Sequence, residues 1–139
     1  LFGEAGVRVE SATAVGGYAV VHGHRWEDAD AVWRGLSGGP RGIVVGHQHP
    51  AVVVRSRVQA AKMICYAAAT VRLAGERVPL VILPAFSPLP LGSNLLTERN
   101  WILDLPRPED GDVRILGLVE PKRGEAQVLD FGLLSELPG

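Results

Sequence analysis

Cysteine, methionine and aromatic residues are scarce in this 139-residue chain: one Cys, one Met, three Trp, two Tyr and three Phe. A lone Cys65 excludes an intrachain disulfide and any zinc site built on several thiolates. It fits a reducing compartment, and the expected location is cytoplasmic. Neither sign of charge dominates, because 14 Lys and Arg face 15 Asp and Glu for a net charge of -1. A global basic field that would hold nucleic acid non-specifically is therefore absent, which leaves open only a local patch. Long apolar runs free of helix breakers are also missing. The longest uncharged stretch, residues 78–96, carries Pro79, Pro84, Pro88 and Pro90, and prolines remove the backbone donors that a membrane helix needs. No basic segment followed by an apolar stretch opens the sequence, so no signal peptide is read and no membrane partner is expected.

What is present is ordinary for a globular protein: 47% hydrophobic and 21% charged residues. A chain of this length buries about two-thirds of its unfolded surface, so residues 1–139 are read as a single domain. The pattern is strand-rich. Residues 7–12 alternate apolar and polar side chains, as in a half-buried strand. Gly16-Gly17 then turns the chain into Tyr18-Ala19-Val20-Val21, a short buried run that stops at His22. The spacing of Ala29, Val32, Trp33 and Leu36 predicts one helix over about 27–36, with Glu27, Asp28 and Asp30 in its first turn. Ile43-Val44-Val45 is a second buried strand and ends at Gly46-His47. Further strands are expected at 51–54, 78–83, 113–119 and 127–131, with 63–73 open between strand and helix because of Ala67-Ala68-Ala69. This order argues for a mixed α/β (α+β) fold rather than a doubly wound sheet.

All four histidines fall in two motifs, His22-Gly23-His24 and Gly46-His47-Gln48-His49-Pro50. Each motif follows a short buried strand. Side chains at the carboxyl ends of neighbouring strands project into a shared crevice. Positions i and i+2 of extended backbone lie on one side, so His47 and His49 are expected to aim at the same region. Neutral imidazole is the commonest metal ligand, and histidines converging there suit zinc, manganese, iron or similar ions. One histidine after a strand is more often structural. Four confined to two strand ends are harder to explain that way. Trp26 and Trp33 are read as packing residues.

The pair of motifs is similar to the last two motifs of the calcineurin-like metallophosphoesterases. Pro50, the Leu83-Pro84-Ala85-Phe86-Ser87 segment, Gly92 and Asn94 narrow the resemblance to predicted phosphoesterases related to DNA-repair exonuclease subunits and DNA-ligase-associated members. It spans essentially the whole chain. The resemblance implies a portion of a four-layer αββα sandwich and a hydrolase using two divalent ions (Mn, Zn, Fe or similar) on a phosphoester, nucleic acid or nucleotides among the candidate substrates. It assigns His22 and His47 to one metal and His49 to the other. His24 would orient a neighbour or touch phosphate, and Asn94 and Ser87 would lie on the rim.

The departures are as informative. The family's upstream Asp-x-His, its bridging Asp and its Gly-Asn-His-Asp or Glu motif have no counterpart in the sequence. No catalytic residue is therefore assigned, since both the bridging carboxylate and the general-acid histidine are missing. With Leu1 first and Met63 the sole methionine, the expectation is a C-terminal half, inactive alone, that pairs with an N-terminal half or with a second copy. The metallo-β-lactamase type of His-x-His site fails, because Trp26 and Glu27 stand where Asp and His are required. The competing reading is a non-catalytic β-rich interaction or scaffold domain with structural histidines.

Overall fold

The computed structural model describes residues 6, 10–36, 38–73, 75–85, 93–94, 101–108, 110–119 and 124–138. Gly16 and Gly17 both adopt positive φ, +58° and +85°, the requirement of a two-residue hairpin turn of the primed type. That turn pairs its flanking residues directly, Val15 with Tyr18, and so fixes the antiparallel ladder of β1 (Ala12–Val15) and β2 (Tyr18–Val21). Of the strand expected over 7–12, only Ala12 is in a strand among the described residues. Positions 7–9 lie outside the described residues, Glu10 and Ser11 belong to no strand, and the ladder sits against the turn that sets its register.

Helix α1 (Trp26–Gly35) then returns the chain so that β3 (Gly42–Val45) lies parallel to β2. Glu27 and Asp28 in its first turn and Arg34 in its last complement the helix dipole. β4 (Pro50–Arg55) pairs antiparallel with the start of β5 (Ala60–Leu73), and β6 (Glu76–Ile82) pairs antiparallel with its end. β6 also lies parallel to β3. The ambiguous segment at 63–73 is strand: Cys65, Ala67, Ala69 and Val71 are buried while Tyr66, Ala68 and Thr70 between them are half-buried, a period of two. Two-residue β7 (Ser93–Asn94) runs parallel to the start of β4. β8 (Arg114–Val119) joins β5 opposite Cys65 to Ala68 and carries β9 (Gln127–Leu133).

The architecture is α+β, one mixed sheet with a helix packed on it. Register aligns the core in rows. Ala19, Ile43, Leu80 and Ala69 stand opposite one another, and so do Val21, Val45, Ile82, Ala67 and Ile115. All nine are buried, and Ala29, Trp26, Val32 and Trp33 of α1 pack against them. Burying such side chains contributes about 1.5–3 kcal/mol for each large aliphatic. No helix among the described residues is long and apolar enough to cross a membrane.

Candidate functional site

β2 and β3 are parallel neighbours with Val21 opposite Val45, so both leave the sheet at the same edge. The next residues are the two histidine motifs. The His22 carbonyl accepts hydrogen bonds from Gly46 N–H at 3.2 Å and His47 N–H at 2.9 Å, which extends the ladder past the strands and locks one loop to the other. His22 Nε2 then meets His47 Nδ1 at 2.8 Å, with ring centroids 4.6 Å apart at 62°. One of these nitrogens must carry the proton and the other the lone pair. The His24 ring joins edge-on, 5.1 Å from His22 and 6.1 Å from His47. Partial burial pushes the His47 pKa below its usual 6.5, and the neighbouring His22, His24 and His49 push it the same way. His47 therefore favours the neutral imidazole that binds metals.

Residues 46–49 are not extended. His49 N–H bonds back to the Gly46 carbonyl at 3.2 Å, and His49 sits at φ +49°, the single non-glycine at positive φ among the described residues. The i, i+2 argument for His47 and His49 therefore does not describe this loop. A turn separates them, and His49 is near enough to His47 for its charge to be felt there. Left-handed backbone in a residue with a side chain costs energy and persists only where its surroundings impose it.

Those surroundings are supplied by residues 101–105. Gln48, fully buried between the two histidines, accepts from Ile102 N–H through Oε1 at 2.9 Å. Two residues on, Asp104 N–H donates to the Gly23 carbonyl at 3.0 Å, and Asp104 Oδ2 accepts from Trp26 N–H at 2.7 Å. Arg25, the residue before α1, provides no side-chain cap, so Asp104 caps the helix from 78 positions away. Buried Leu103 fills the space beneath Gly23, which has φ +102°. One strap thus holds both histidine loops. Sequence reading missed it. Gln48 left a trace, a polar residue inside a strand-end motif, whereas Asp104 left none.

No known protein family, curated protein or solved structure matches this chain. What the site can do follows from its geometry. Two nitrogens ligating one tetrahedral ion at about 2.0–2.1 Å stand about 3.3–3.4 Å apart. His22 and His47 are roughly half an ångström closer, so a slight opening of the pair would admit an ion. Among the described residues no group of three or more His, Cys, Asp or Glu is placed to hold a metal. Among the described residues the arrangement is thus a contacting pair of ring nitrogens and not a complete metal site. Asn94 lies on β7 with its backbone opposite Ala51, one strand away from His49-Pro50. Ser87 lies outside the described residues.

Proposed function

We propose that this chain is the histidine-bearing part of a metal-dependent phosphoester hydrolase of the metallophosphoesterase type. The observation that carries the reading is the contact between His22 Nε2 and His47 Nδ1, at the carboxyl edge of two parallel strands. In this reading His22 and His47 hold one divalent ion, His49 contributes to a second, and His24 orients the cluster. The ions supply Lewis acidity toward a phosphoryl oxygen. The mixed sheet would be one half of an αββα sandwich, the other half bringing the bridging carboxylate and the proton donor. The chain's own residues keep the imidazoles in place, and the strap at 101–105 fixes the loops that bear them.

Electrostatics limits what the chain does alone. Two dications about 4 Å apart repel by about 16 kcal/mol at an effective dielectric of about 20, about four times the value for two unit charges. Neutral imidazoles do not offset that, so the chain by itself binds one ion. Titration with Co2+, followed by its visible absorption, tests this. One equivalent should bind, and His22→Ala or His47→Ala should each weaken binding at least about ten-fold. Unchanged affinity in both variants would sink the reading. Hydrolysis of bis(p-nitrophenyl) phosphate by the chain should be negligible, and fast turnover would contradict the missing proton donor.

The direct 2.8 Å contact also favours a second reading, a structural histidine pair in a non-catalytic domain. A hydrogen bond between the rings needs no ion. Absence of any Co2+ binding, with the ring contact intact by NMR, selects that reading instead.

A further inference from the structure

Two apolar faces of this fold each carry one carboxylate, and both carboxylates line one cavity. In β6 the series Ile82, Leu80 and Val78 is buried in the core that α1 covers, and Glu76 is the next residue of that series. Alternation puts it on the same face. It stands opposite Leu73 across the ladder, and Leu73 packs against the core. Arg72 and Arg77, the next pair along, point to the other face of the sheet. On α1, Trp26, Asp30 and Trp33 fall at i, i+4 and i+7, so a carboxylate lies between two indoles about 10 Å apart along the axis. A charged residue where the pattern calls for a core residue marks a place to look for function.

The cavity, of about 350 Å³, is lined by Trp26, Asp30, Trp33, Arg34, Leu73 and Glu76. Its charges do not cancel. Arg34 Nε donates to both Asp30 oxygens at 2.9 Å. Among the described residues the Glu76 carboxylate has no hydrogen bond or ion pair, so the lining keeps one net negative charge. Two of the chain's three tryptophans line it, although both also pack against the core as the sequence suggests. Indole faces attract a cation through the ring quadrupole, most strongly where the cation is desolvated. Trp26 and Leu73 also wall a neighbouring cavity of about 340 Å³, whose one charged lining residue is Asp104. Acid and indole therefore recur on both sides of Trp26.

We propose that this cavity, between α1 and the β5–β6 turn, binds a small molecule with a quaternary ammonium head, Trp26 and Trp33 on its methyl groups and Glu76 facing its charge. A primary ammonium is strongly hydrated and has three protons to satisfy. Indoles accept none of them, since the ring nitrogen only donates. A trimethylammonium head has no N–H and asks only for apolar surface and an opposing charge. The Arg34–Asp30 pair is no obstacle: Arg34 is mostly exposed, and pairs at the surface are worth little, so Arg34 moves aside at small cost. At about 30 Å³ for each non-hydrogen atom, the volume holds roughly eleven. That accommodates the head with a short chain behind it, a whole small molecule. Binding of this kind needs neither a metal nor the histidine cluster, and it stands apart from the phosphoesterase reading.

The test is an NMR titration of the chain, in EDTA, with choline and with its neutral analogue in which carbon replaces the charged nitrogen. Choline should shift the indole Nε1–H signals of Trp26 and Trp33 with a Kd of about 1 mM or below. Trp101 Nε1–H, held by the Leu105 carbonyl at 2.8 Å, should stay in place. The neutral analogue should bind at least about ten-fold more weakly. Glu76→Gln, a change at an exposed side chain, should weaken choline binding about five-fold and leave the analogue unaffected. Trp26→Leu and Trp33→Leu should each cost about as much, and Glu76→Gln carries the test if either tryptophan variant fails to fold. Equal affinity for choline and its analogue overturns the proposal. So does choline binding untouched by Glu76→Gln, or the absence of any shift at about fifty times the expected Kd. A peptide bearing trimethyllysine that binds more than about ten-fold tighter than choline overturns the small-molecule assignment.

Discussion

Replacing Gly23 by alanine tests how the histidine loops are held. At φ +102° a side chain is strained wherever it points, which costs about 1–3 kcal/mol. The added Cβ would also stand 2.7 Å from Leu103 Cδ2 and 3.2 Å from Val45 Cβ. Leu103 could swing aside in the open, but it is buried, and Val45 Cβ is fixed in the core of β3. Overpacking of that kind costs about 1–3 kcal/mol more. The sum, about 2–6 kcal/mol, is a large fraction of the roughly 5–15 kcal/mol that holds a typical domain. With a urea slope of about 2 kcal/mol/M, the denaturation midpoint should fall by at least about 1 M. Gly38→Ala is the matched control, since φ is +82° and nothing lies within 4 Å, so it loses only the backbone part. Imidazole NMR signals of His22 and His47 should shift in the first variant and not in the control. Equal midpoints for the two variants would refute the packing half of the reasoning.

Other consequences of the geometry are equally direct. Gln48→Ala empties a fully buried position and takes the acceptor from the part-buried Ile102 N–H, which should cost about 1–3 kcal/mol, while Asp104→Ala removes only a helix cap, about 1 kcal/mol, and Asp104→Asn should restore most of it. Urea midpoints of the three variants check the ranking. Because the folded His47 has a lowered pKa, the unfolded chain takes up its proton first as pH falls. Stability is therefore level above about 6.5 and declines below it, and the decline should be shallower in His47→Gln; identical pH profiles would argue against it. Burial pushes the Cys65 thiol up to about 12, so dithionitrobenzoate at pH 8 should label it only after denaturation.

Much of the chain could be read before any coordinates, because the signal was local. Tyr18 to Val21, Ile43 to Val45 and the apolar face at Ala29, Val32 and Trp33 appear almost where periodicity puts them. The alanine run at 67–69 was undecidable alone, since small side chains fit either period; pairing with β6 and β8 on both edges decides it. The site was legible as a pair of histidine clusters and no further. That His24 rather than His49 completes the ring contacts depends on a turn at Gly46, and that turn depends on Gln48 reaching Ile102, 54 residues away. Long-range polar contacts of that kind have no periodicity to betray them.

β5 bears one more consequence. At Ala67 and Ala68 its backbone is paired on both sides, whereas at Ala60 to Ile64 β4 alone accompanies it. Deuterium should enter those outer amides quickly through fraying of the hairpin and reach positions 67 and 68 only when the whole sheet comes apart. The same strand is then a graded clock, reporting opening of the β4–β5 hairpin at one end and global unfolding at its centre.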